Sequence, residues 1–433
     1  MWRACPKRKK LRIRLTSWPI VSRVSNHPTD AHLHIGNSDA HAPGMPVVAV
    51  IGDGQLARMM HTEAIELGQS VRLLAGARDA SAAQVAADVV LGDYLDLDAL
   101  RRVAAGTSVV TFDHEHVPTE HLRQLVAEGV NVQPGPEALV NAQDKLLMRQ
   151  RLAEIGAPVP EFSDIASRED ALEFWDSVGG EVCLKARRGG YDGKGVWFPG
   201  SRTELIKLVD ALLIQHVPLL AERKMPLVRE LSAMVARTPS GAVATWPVVQ
   251  SVQRDGICVE AIAPAPECVF ADAASDLARR IAEALEVTGV MAVELFETVD
   301  GIWVNELAMR PHNTGHWTQD GCVTSQFEQH LRAVLDRPLG ATRCLGTWTV
   351  MANVLGGEED PALPMTERVR KVWERFPDAK VHLYGKGWRP GRKIGHVNIC
   401  SDEPIDELRR RAELAAHFLV HAVWADGHLA RKD

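Results

Sequence analysis

Residues 290–307 read VMAVELFETVDGIWVNEL. Two runs rich in branched and aromatic residues flank Asp300-Gly301, a pair that favours a tight turn between antiparallel strands. A two-residue turn at this pair would place Glu294 opposite Leu307. A three-residue loop of residues 299–301, with the glycine in the left-handed position, would instead place Glu294 opposite Glu306. We choose the three-residue loop, so the stretch predicts a β-hairpin with two facing carboxylates.

Facing carboxylates repel each other unless a cation lies between them. Magnesium (Mg²⁺) suits such a pair, because it binds one or two carboxylates together with phosphate oxygens of a substrate. The hairpin therefore predicts a metal site at Glu294 and Glu306. The alternative is that the two glutamates are unrelated.

The hairpin is followed by RPHNTGHWT at residues 310–318. Arg310, His312 and Asn313 bring a planar cation, an imidazole and an amide close to the predicted metal. Such donors suit a small oxyanion. The alternative is that the histidine is structural.

A glycine-rich basic stretch, KARRGGYDGKG, occupies residues 185–195. Its glycines permit left-handed turns that direct backbone amides inward, and Lys185 and Lys194 can neutralise phosphate charge. The G-x-x-x-x-G-K-[ST] order of the P-loop is absent. The stretch predicts a polyphosphate-binding loop, with a plain basic hairpin tip as the alternative.

A second basic loop, KGWRPGRK, lies near the C-terminus at residues 386–393. It provides a further candidate anion site, with Lys386 and Arg392 as its cations. A solvated run of charges is the alternative.

Upstream, the chain alternates strands and helices. Residues 47–51 form a short apolar run that ends in the glycine turn GDGQLA at 52–57. Further strands are predicted at 71–75 and 109–112, with a helix after the glycine turn and another at 97–105, so we expect a Rossmann-like parallel sheet. No acidic residue follows the second strand, which disfavours a nicotinamide dinucleotide. Another anion or a purely structural turn remains open.

A helix is predicted from about Asp144 to Ile155, capped by Asp144 and stopped at Gly156. A domain boundary lies near it. Residues 158–337 mix strands, glycine-rich loops and an amphipathic helix carrying Leu277, Ile281 and Leu285. Beyond Pro338 the chain is strand-rich and closes with a helix from about 405 to 418. We expect an α/β protein with domains at 45–143, 144–337 and 338–433.

Composition agrees with several domains in one globular chain. The 433 residues are 46% hydrophobic and 24% charged, with a net charge of -7, which indicates no nucleic-acid partner. Seven cysteines are scattered without a C-x-x-C pair, so we expect a reducing cytoplasm. No apolar run is long enough to predict a membrane span.

The first 44 residues differ from the rest, with a basic run at 3–14 followed by a polar stretch containing several histidines. We leave them out of the fold, as either a start assigned ahead of Met45 or a disordered tail. The histidines could bind metal, but a solvated tail is the better interpretation.

Taken together, the glycine turn, GGYDGKG, NELAMRPHNTGHWT and YGKGWRPGRKIGH resemble the ATP-grasp superfamily and, within it, the carboxyaminoimidazole ribonucleotide synthases. The likeness runs from Val47 to about Trp424. It implies a Rossmann-like N-terminal domain, an ATP-grasp domain with a mobile lid and a small β-rich C-terminal domain. It also implies a homodimer, and the lack of a long apolar run leads us to expect no membrane partner.

The resemblance assigns roles to residues of this chain. It places ATP at Lys145, Lys185, Gly190, Gly193, Gly195, Glu222, Glu230 and Asn305, and Mg²⁺ at Glu294 and Glu306. It places bicarbonate at Arg310, His312 and Asn313, with Tyr191, Asp192 and Lys194 closing over the reacting groups. It places the ribonucleotide at Gln55, Leu56, Glu115, Lys386 and Arg392.

Four positions depart from the commonest family pattern: Ala57, Asp113, Gln253 and Met309. The first, second and fourth are mild changes. Gln253 replaces a frequent histidine, which puts one nucleotide contact in doubt.

The implied reaction is carboxylation of 5-aminoimidazole ribonucleotide with ATP and bicarbonate, without biotin. Carboxyphosphate is the expected intermediate, and either it or the carbon dioxide released from it can be the electrophile. The nearest rival is a related ligase such as formate-dependent glycinamide ribonucleotide transformylase. A nicotinamide-dependent oxidoreductase and a non-catalytic nucleotide-binding regulator are the other classes considered.

Overall fold

The protein is described by a computed structural model that covers residues 33–36, 41–69, 71–190 and 194–428. Three β-sheets carry the architecture, with helices packed on their faces. Within these residues, no helix combines the length and apolar character that crossing a bilayer requires.

The first sheet has five strands, and four helices lie between or after them in the sequence. Its elements are β1 (His34–Gly36), β2 (Val48–Ile51), α1 (Gln55–Glu66), β3 (Val71–Ala75), β4 (Asp88–Leu91), α2 (Leu97–Ala104), β5 (Val109–Phe112), α3 (Thr119–Ala127) and α4 (Pro136–Gln143). The strand order is β1-β4-β3-β2-β5, and β2 pairs in parallel with both β3 and β5. The predicted parallel sheet is therefore confirmed, with the strands at 71–75 and 109–112 as expected.

Part of the N-terminal extension belongs to the fold, contrary to our prediction. Strand β1 pairs antiparallel with β4, so part of the stretch that we left out of the fold belongs to it. His34 Nε2 lies 2.6 Å and His41 Nε2 lies 2.8 Å from the carboxylate of Asp88, which is buried and also bound by Arg72. A buried carboxylate needs such partners. The sequence around the two histidines does not indicate that they pair with Asp88, about 50 residues away. Residues 1–32 lie outside the described part.

The second sheet has four strands. Its region contains α5 (Lys145–Glu154), β6 (Phe162–Ile165), α6 (Arg168–Ser177), β7 (Val182–Ala186), β8 (Val196–Trp197), α7 (Arg202–Ile214) and β9 (Leu219–Arg223). The strand order is β6-β9-β7-β8, with every pair antiparallel. The carboxylate of Asp144 accepts hydrogen bonds from the amides of Leu146 and Leu147, which confirms the predicted cap of α5.

The third sheet is the largest. The remaining elements are β10 (Arg229–Arg237), β11 (Val243–Thr245), β12 (Val249–Arg254), β13 (Ile257–Ala263), α8 (Ala271–Ala284), β14 (Gly289–Thr298), β15 (Gly301–Ala308), α9 (Thr318–Gly321), α10 (Gln326–Val334), β16 (Trp348–Leu355), α11 (Met365–Arg375), β17 (Lys380–Leu383), β18 (Lys393–Ser401) and α12 (Ile405–His421). The order is β15-β14-β10-β12-β13-β16-β18-β17, with β11 beside β10.

This nine-stranded sheet runs through the expected boundary at residues 337 and 338, because β13 pairs antiparallel with β16. Leu277 and Ile281 are buried on α8, which packs on β10, so the predicted amphipathic helix is confirmed. The C-terminal region carries three strands and two helices, the second of which is the predicted closing helix.

Candidate functional site

Strands β14 and β15 form the predicted hairpin, and Glu294 lies directly opposite Glu306. The predicted pairing is confirmed, but the predicted loop is wrong. Thr298 pairs with Gly301, so the turn has two residues, Val299 and Asp300. Gly301 has a φ of 158°, far from the left-handed helical region that we assigned to it.

A β-bulge restores the expected register. Leu295 pairs with Val304 while Glu294 pairs with Glu306, which leaves Asn305 as the extra residue on β15. Consecutive residues of a regular strand point to opposite faces of the sheet. Because Asn305 is the extra residue of the bulge, it does not point to the face opposite Glu306. Asn305 and Glu306 therefore both line the same cavity.

Two cavities meet at this hairpin. One, of about 590 Å³, lies between the hairpin and the four-stranded sheet, and we call it the small-sheet cavity. The other, of about 610 Å³, lies between the hairpin and the first sheet, and we call it the N-terminal cavity. Seven residues line both: Lys145, Gly190, Glu294, Glu306, His312, Asn313 and Lys393. The paired glutamates therefore stand where the two cavities join.

A buried ion-pair network supports the small-sheet cavity. Lys185 Nζ lies 2.7 Å from Glu222 Oε2 and 3.2 Å from Asn305 Oδ1. Arg149 Nε donates to the other oxygen of Glu222 at 2.9 Å. Burial raises the pKa of Glu222, but Arg149 and Lys185 outweigh it and bring the pKa to about 2. The Glu222 carboxylate is therefore occupied by its ion pairs with Lys185 and Arg149. Arg149 was not predicted from the sequence, because it lies 73 residues from Glu222.

Glu230, on β10, lines the same cavity. Burial, together with the charge of Glu294, raises the pKa of Glu230 to about 7. Its carboxyl group is therefore poised between its two forms near neutral pH and can accept or donate a hydrogen bond.

The glycine-rich stretch closes one side of the cavity. A Cβ added at Gly190 would lie 2.8 Å from the carbonyl oxygen of Lys194, so only glycine fits there without movement. Gly195 has a φ of 75° and its carbonyl accepts from the amide of Ala186 at 2.8 Å. Lys194 lines the small-sheet cavity. The predicted residues Tyr191, Asp192 and Gly193 lie outside the described residues.

The cluster after the hairpin lies at the junction of the two cavities. His312 Nε2 is 3.0 Å from Glu294 Oε1, and Arg310 Nε donates to Glu115 Oε2 at 2.8 Å. Burial raises the pKa of Glu294, but the contact with His312 outweighs it and the pKa is lowered. The amide nitrogen and oxygen of Asn313 are buried and have no hydrogen-bond partner among the described residues. Asn313 therefore presents a donor and an acceptor to a ligand.

The position of His312 depends on a residue that the sequence reasoning missed. Gln326, at the start of α10, accepts from His312 N at 2.7 Å and donates to His312 O at 2.8 Å. The ring Nδ1 of His312 lies 2.9 Å from Thr314 Oγ1. A glutamine at a helix start carries no local signal of this role.

In the first sheet, the glycine turn packs tightly against Asp113. The amide of Gly54 donates to Asp113 Oδ2 at 2.6 Å, and a Cβ at Gly52 would lie 1.8 Å from Oδ1. Burial raises the pKa of Asp113 to about 7. This amide is therefore taken by an internal carboxylate, while the next residues, Gln55 and Leu56, line the N-terminal cavity.

The C-terminal basic loop meets this turn. Lys386 Nζ donates to the side-chain oxygen of Gln55, and Arg392 donates to the carbonyl of Gly387 at 3.1 Å. Burial and the charge of Arg392 lower the pKa of Lys386 to about 8. Lys393, which we had quoted only as part of the loop, lines both cavities.

The donor set fits a hard cation that is completed by a ligand. Within the described residues no group of three or more His, Cys, Asp or Glu side chains is arranged to hold a metal. Glu294 and Glu306 offer facing carboxylates where the two cavities join. Two carboxylates are what Mg²⁺ takes from a protein when substrate phosphates supply the rest.

Comparisons with known proteins agree with this architecture. The family model of the ribonucleotide synthetase preATP-grasp domain matches residues 45–143. The ATP-grasp domain model matches residues 150–327. The model of the phosphoribosylaminoimidazole carboxylase C-terminal domain matches residues 349–411.

Individual relatives cover almost the whole chain. The N5-carboxyaminoimidazole ribonucleotide synthase of Corynebacterium ammoniagenes is 61% identical over 92% of this chain and 97% of its own length. The Aspergillus clavatus enzyme complexed with ATP has a TM-score of 0.78 and 32% identity, covering 86% of this chain and 98% of that chain. The same fungal enzyme with ADP and 5-aminoimidazole ribonucleotide has a TM-score of 0.78 and 30% identity, covering 87% and 99%. The chain therefore belongs to the N5-carboxyaminoimidazole ribonucleotide synthase family of ATP-grasp ligases.

Proposed function

We propose that the protein carboxylates 5-aminoimidazole ribonucleotide to N5-carboxyaminoimidazole ribonucleotide, using ATP and bicarbonate. The observation that carries the proposal is the junction of two cavities at a pair of facing glutamates, beside an arginine, a histidine and an unpartnered amide. The names of the relatives and the fungal complexes with ATP, ADP and 5-aminoimidazole ribonucleotide support it.

ATP is assigned to the small-sheet cavity. Lys145 and Lys185 bring two cations to this cavity, where Asn305 and Gly190 complete the wall around the phosphates and Gly195 lies in the same loop as Gly190. Gly193 belongs to the same loop. Glu230 suits a ribose hydroxyl, since its carboxyl group can accept or donate near neutral pH. Because the Glu222 side chain is held by ion pairs, its contribution to adenine binding comes from the backbone at 222–225.

Glu294 and Glu306 would hold Mg²⁺. The ion would neutralise the charge on the phosphate oxygens during phosphoryl transfer. Lys145 Nζ lies 2.5 Å from Glu306 Oε1 and adds a second cation beside the transferred phosphate.

Bicarbonate is assigned to the junction itself, next to the phosphate that it attacks. The guanidinium of Arg310 and the amide of Asn313 hold its oxygens, and His312 fixes the carboxylate of Glu294. Attack of a bicarbonate oxygen on the γ-phosphorus breaks the bond to ADP and forms carboxyphosphate. Tyr191, Asp192 and Lys194 belong to the loop that would close over these groups and exclude water.

The ribonucleotide is assigned to the N-terminal cavity. Its phosphate would lie at the first turn of α1, near Gln55 and Leu56, with Lys386 and Arg392 supplying charge. Glu115, held by Arg310, reaches the same cavity from the opposite side. The exocyclic amine would then face the junction, where it attacks carboxyphosphate and displaces phosphate, or attacks the carbon dioxide that carboxyphosphate forms by losing phosphate. The amine loses a proton as the carbon-nitrogen bond forms.

A phosphate-release assay tests the proposal. Purified protein with MgATP should release phosphate rapidly only when 5-aminoimidazole ribonucleotide and bicarbonate are both present. Equal release with formate and glycinamide ribonucleotide would instead identify a transformylase-type ligase. A change in NADH absorbance would identify an oxidoreductase, and nucleotide binding without turnover a regulator.

We also propose that the protein is a homodimer in the cytoplasm. The six described cysteines are all free thiols, as a reducing compartment favours. Light scattering at working concentration should give twice the mass of one chain, and a monomeric mass would contradict the dimer.

A further inference from the structure

Two cysteines outside the site face each other across a short antiparallel bridge. Cys322 follows α9, and Cys344 precedes β16. Backbone hydrogen bonds of 2.9 Å and 3.1 Å join segments 321–323 and 343–345 on either side of the two cysteines. They are therefore a non-hydrogen-bonded pair, whose Cα atoms lie about 4.5 Å apart with side chains on the same face. That spacing is one a disulfide can span.

The two thiols differ in environment. Cys322 is 5% exposed, and its Sγ donates to the carbonyl of Thr342 at 3.2 Å, whereas Cys344 is half-buried. The neighbouring thiol of Cys322 lowers the pKa of Cys344 to about 7, against the effect of burial. Cys344 is therefore the thiol with more thiolate at neutral pH and the one that an oxidant can reach.

We propose that Cys344 is a peroxide-reactive cysteine and that Cys322 is its resolving partner, so that the two form a reversible disulfide. The Cys344 thiolate attacks one oxygen of hydrogen peroxide, the O–O bond breaks, and the released hydroxide takes a proton to become water. The sulfur of Cys322 then attacks the sulfenic sulfur of Cys344. The S–S bond forms as the S–O bond breaks, and the oxygen leaves as a second water with the proton of Cys322. Two thiols lose two electrons, and one peroxide gains them.

The bond would close a loop that matters to the site. Residues 323–343 contain α10, whose Gln326 holds both backbone groups of His312. A cross-link restricts the unfolded chain most directly within the loop that it closes. Oxidation is therefore expected to make the segment that positions His312 harder to unfold without touching the reacting groups.

A third thiol provides an internal control. A Cβ added at Gly346 would lie 3.0 Å from the Sγ of Cys400, so Cys400 lies close to the bridge. It resides on β18 and is paired in register with Thr349, not with either cysteine of the bridge. If proximity alone decided the chemistry, Cys400 would compete for Cys344.

The experiment is peroxide treatment followed by thiol counting and peptide mapping. The native protein and Cys400→Ser should each lose two thiols, yield a cross-linked peptide joining 322 to 344, and recover both thiols with dithiothreitol. Cys322→Ser should instead accumulate a Cys344 sulfenic acid trapped by dimedone. The melting temperature of the native protein should rise by about 2 °C or more on oxidation, and that of Cys344→Ser should not. A cross-link to Cys400, or a Cys344 that stays reduced while other thiols react, would overturn the proposal.

Discussion

At the scale of single residues, Glu306 takes part in two opposing interactions. It faces the like charge of Glu294 across the strand pair, and Lys145 Nζ lies 2.5 Å from its Oε1. Its side chain is 36% exposed, so its ion pair adds little to folding. We expect Glu306→Gln to lower kcat by on the order of 100-fold or more, because the proposed magnesium ligand is lost while the shape of the side chain is kept.

Steady-state phosphate release measures the effect on kcat, and thermal unfolding of the same preparation measures the effect on stability. Glu283→Gln, on the exposed face of α8, is the matched control and should leave both unchanged. Turnover of Glu306→Gln close to the native rate would remove Glu306 from the metal site.

Arg392 and Arg389 lie in the same basic loop but differ in surroundings. The charge of Arg392 acts on Lys386, which contacts Gln55 at the start of α1, whereas the side chain of Arg389 is exposed. We expect Arg392→Ala to raise KM for the ribonucleotide roughly 10- to 100-fold, the value of one charge-assisted hydrogen bond, with little change in KM for ATP. Arg389→Ala should change neither, and equal effects of Arg392→Ala on both substrates would contradict a phosphate-binding role.

The depressed pKa of Lys386 gives the site a pH dependence. Burial and Arg392 bring this pKa to about 8, so the ammonium loses its proton as pH rises through that value. The substrate phosphate is already a dianion above about pH 6. We therefore expect KM for the ribonucleotide to rise between pH 7 and pH 9 while KM for ATP stays flat. In Lys386→Met the rise should disappear, and a rise that persists in this variant would assign the titration to another group.

At the scale of elements, the glycine-rich loop after β7 depends on one close approach. The Cβ of an alanine at Gly190 would lie 2.8 Å from the backbone oxygen of Lys194. We expect Gly190→Ala to raise KM for ATP about tenfold or more, because the loop must shift to admit the methyl group and we propose that this loop contacts the phosphates. Gly200→Ala is the control, since its nearest neighbour would lie 3.5 Å away. Equal KM values for ATP in the two variants would show that the loop does not contact the nucleotide.

The hairpin shows how far an element can be predicted from sequence. Two runs rich in branched and aromatic residues and a turn pair located both strands, and the facing of Glu294 and Glu306 was predicted correctly. The loop length was wrong by one residue, and the bulge at Asn305 compensated for it. A bulge leaves no local signal, because the extra residue is defined only by what the partner strand places opposite it.

For other elements too, features with local sequence signals were predicted, and features that depend on distant residues were not. Strands at 71–75 and 109–112 and the helix capped by Asp144 were predicted because their signals are local. The contributions of Asp113, Arg149 and Gln326 to the site were not predicted, because their partners lie 59, 73 and 14 residues away. A contact between two single residues that lie so far apart in the sequence leaves no periodic pattern from which it could be predicted.

At the scale of the whole molecule, the nine-stranded sheet joins two regions that the sequence separates. Residues 264–347, with three helices, a hairpin and the site cluster, lie between β13 and β16, so no local pattern predicts that these strands pair. Ile262 of β13 pairs with Val350 of β16 and packs in the C-terminal core with α12 residues such as Leu419. The basic loop is thus carried by a region that shares its core with the ATP-grasp region. Lys386 can contact Gln55 because this shared sheet fixes the C-terminal region beside the first sheet.

This continuity predicts that the two regions unfold together. Ile262 is 1% exposed, and Ile262→Ala should cost about 2–5 kcal/mol through lost burial and the cavity left behind. Since the residue joins both halves of one sheet, amide hydrogen exchange should accelerate to the same extent in β14 and in β18. Leu184→Ala, fully buried in the four-stranded sheet, is the control, and its faster exchange should be confined to β6, β7 and β9. Faster exchange in β18 alone after Ile262→Ala would mean that the C-terminal region is an independent unit, and the shared sheet would then not be what fixes Lys386 at the site.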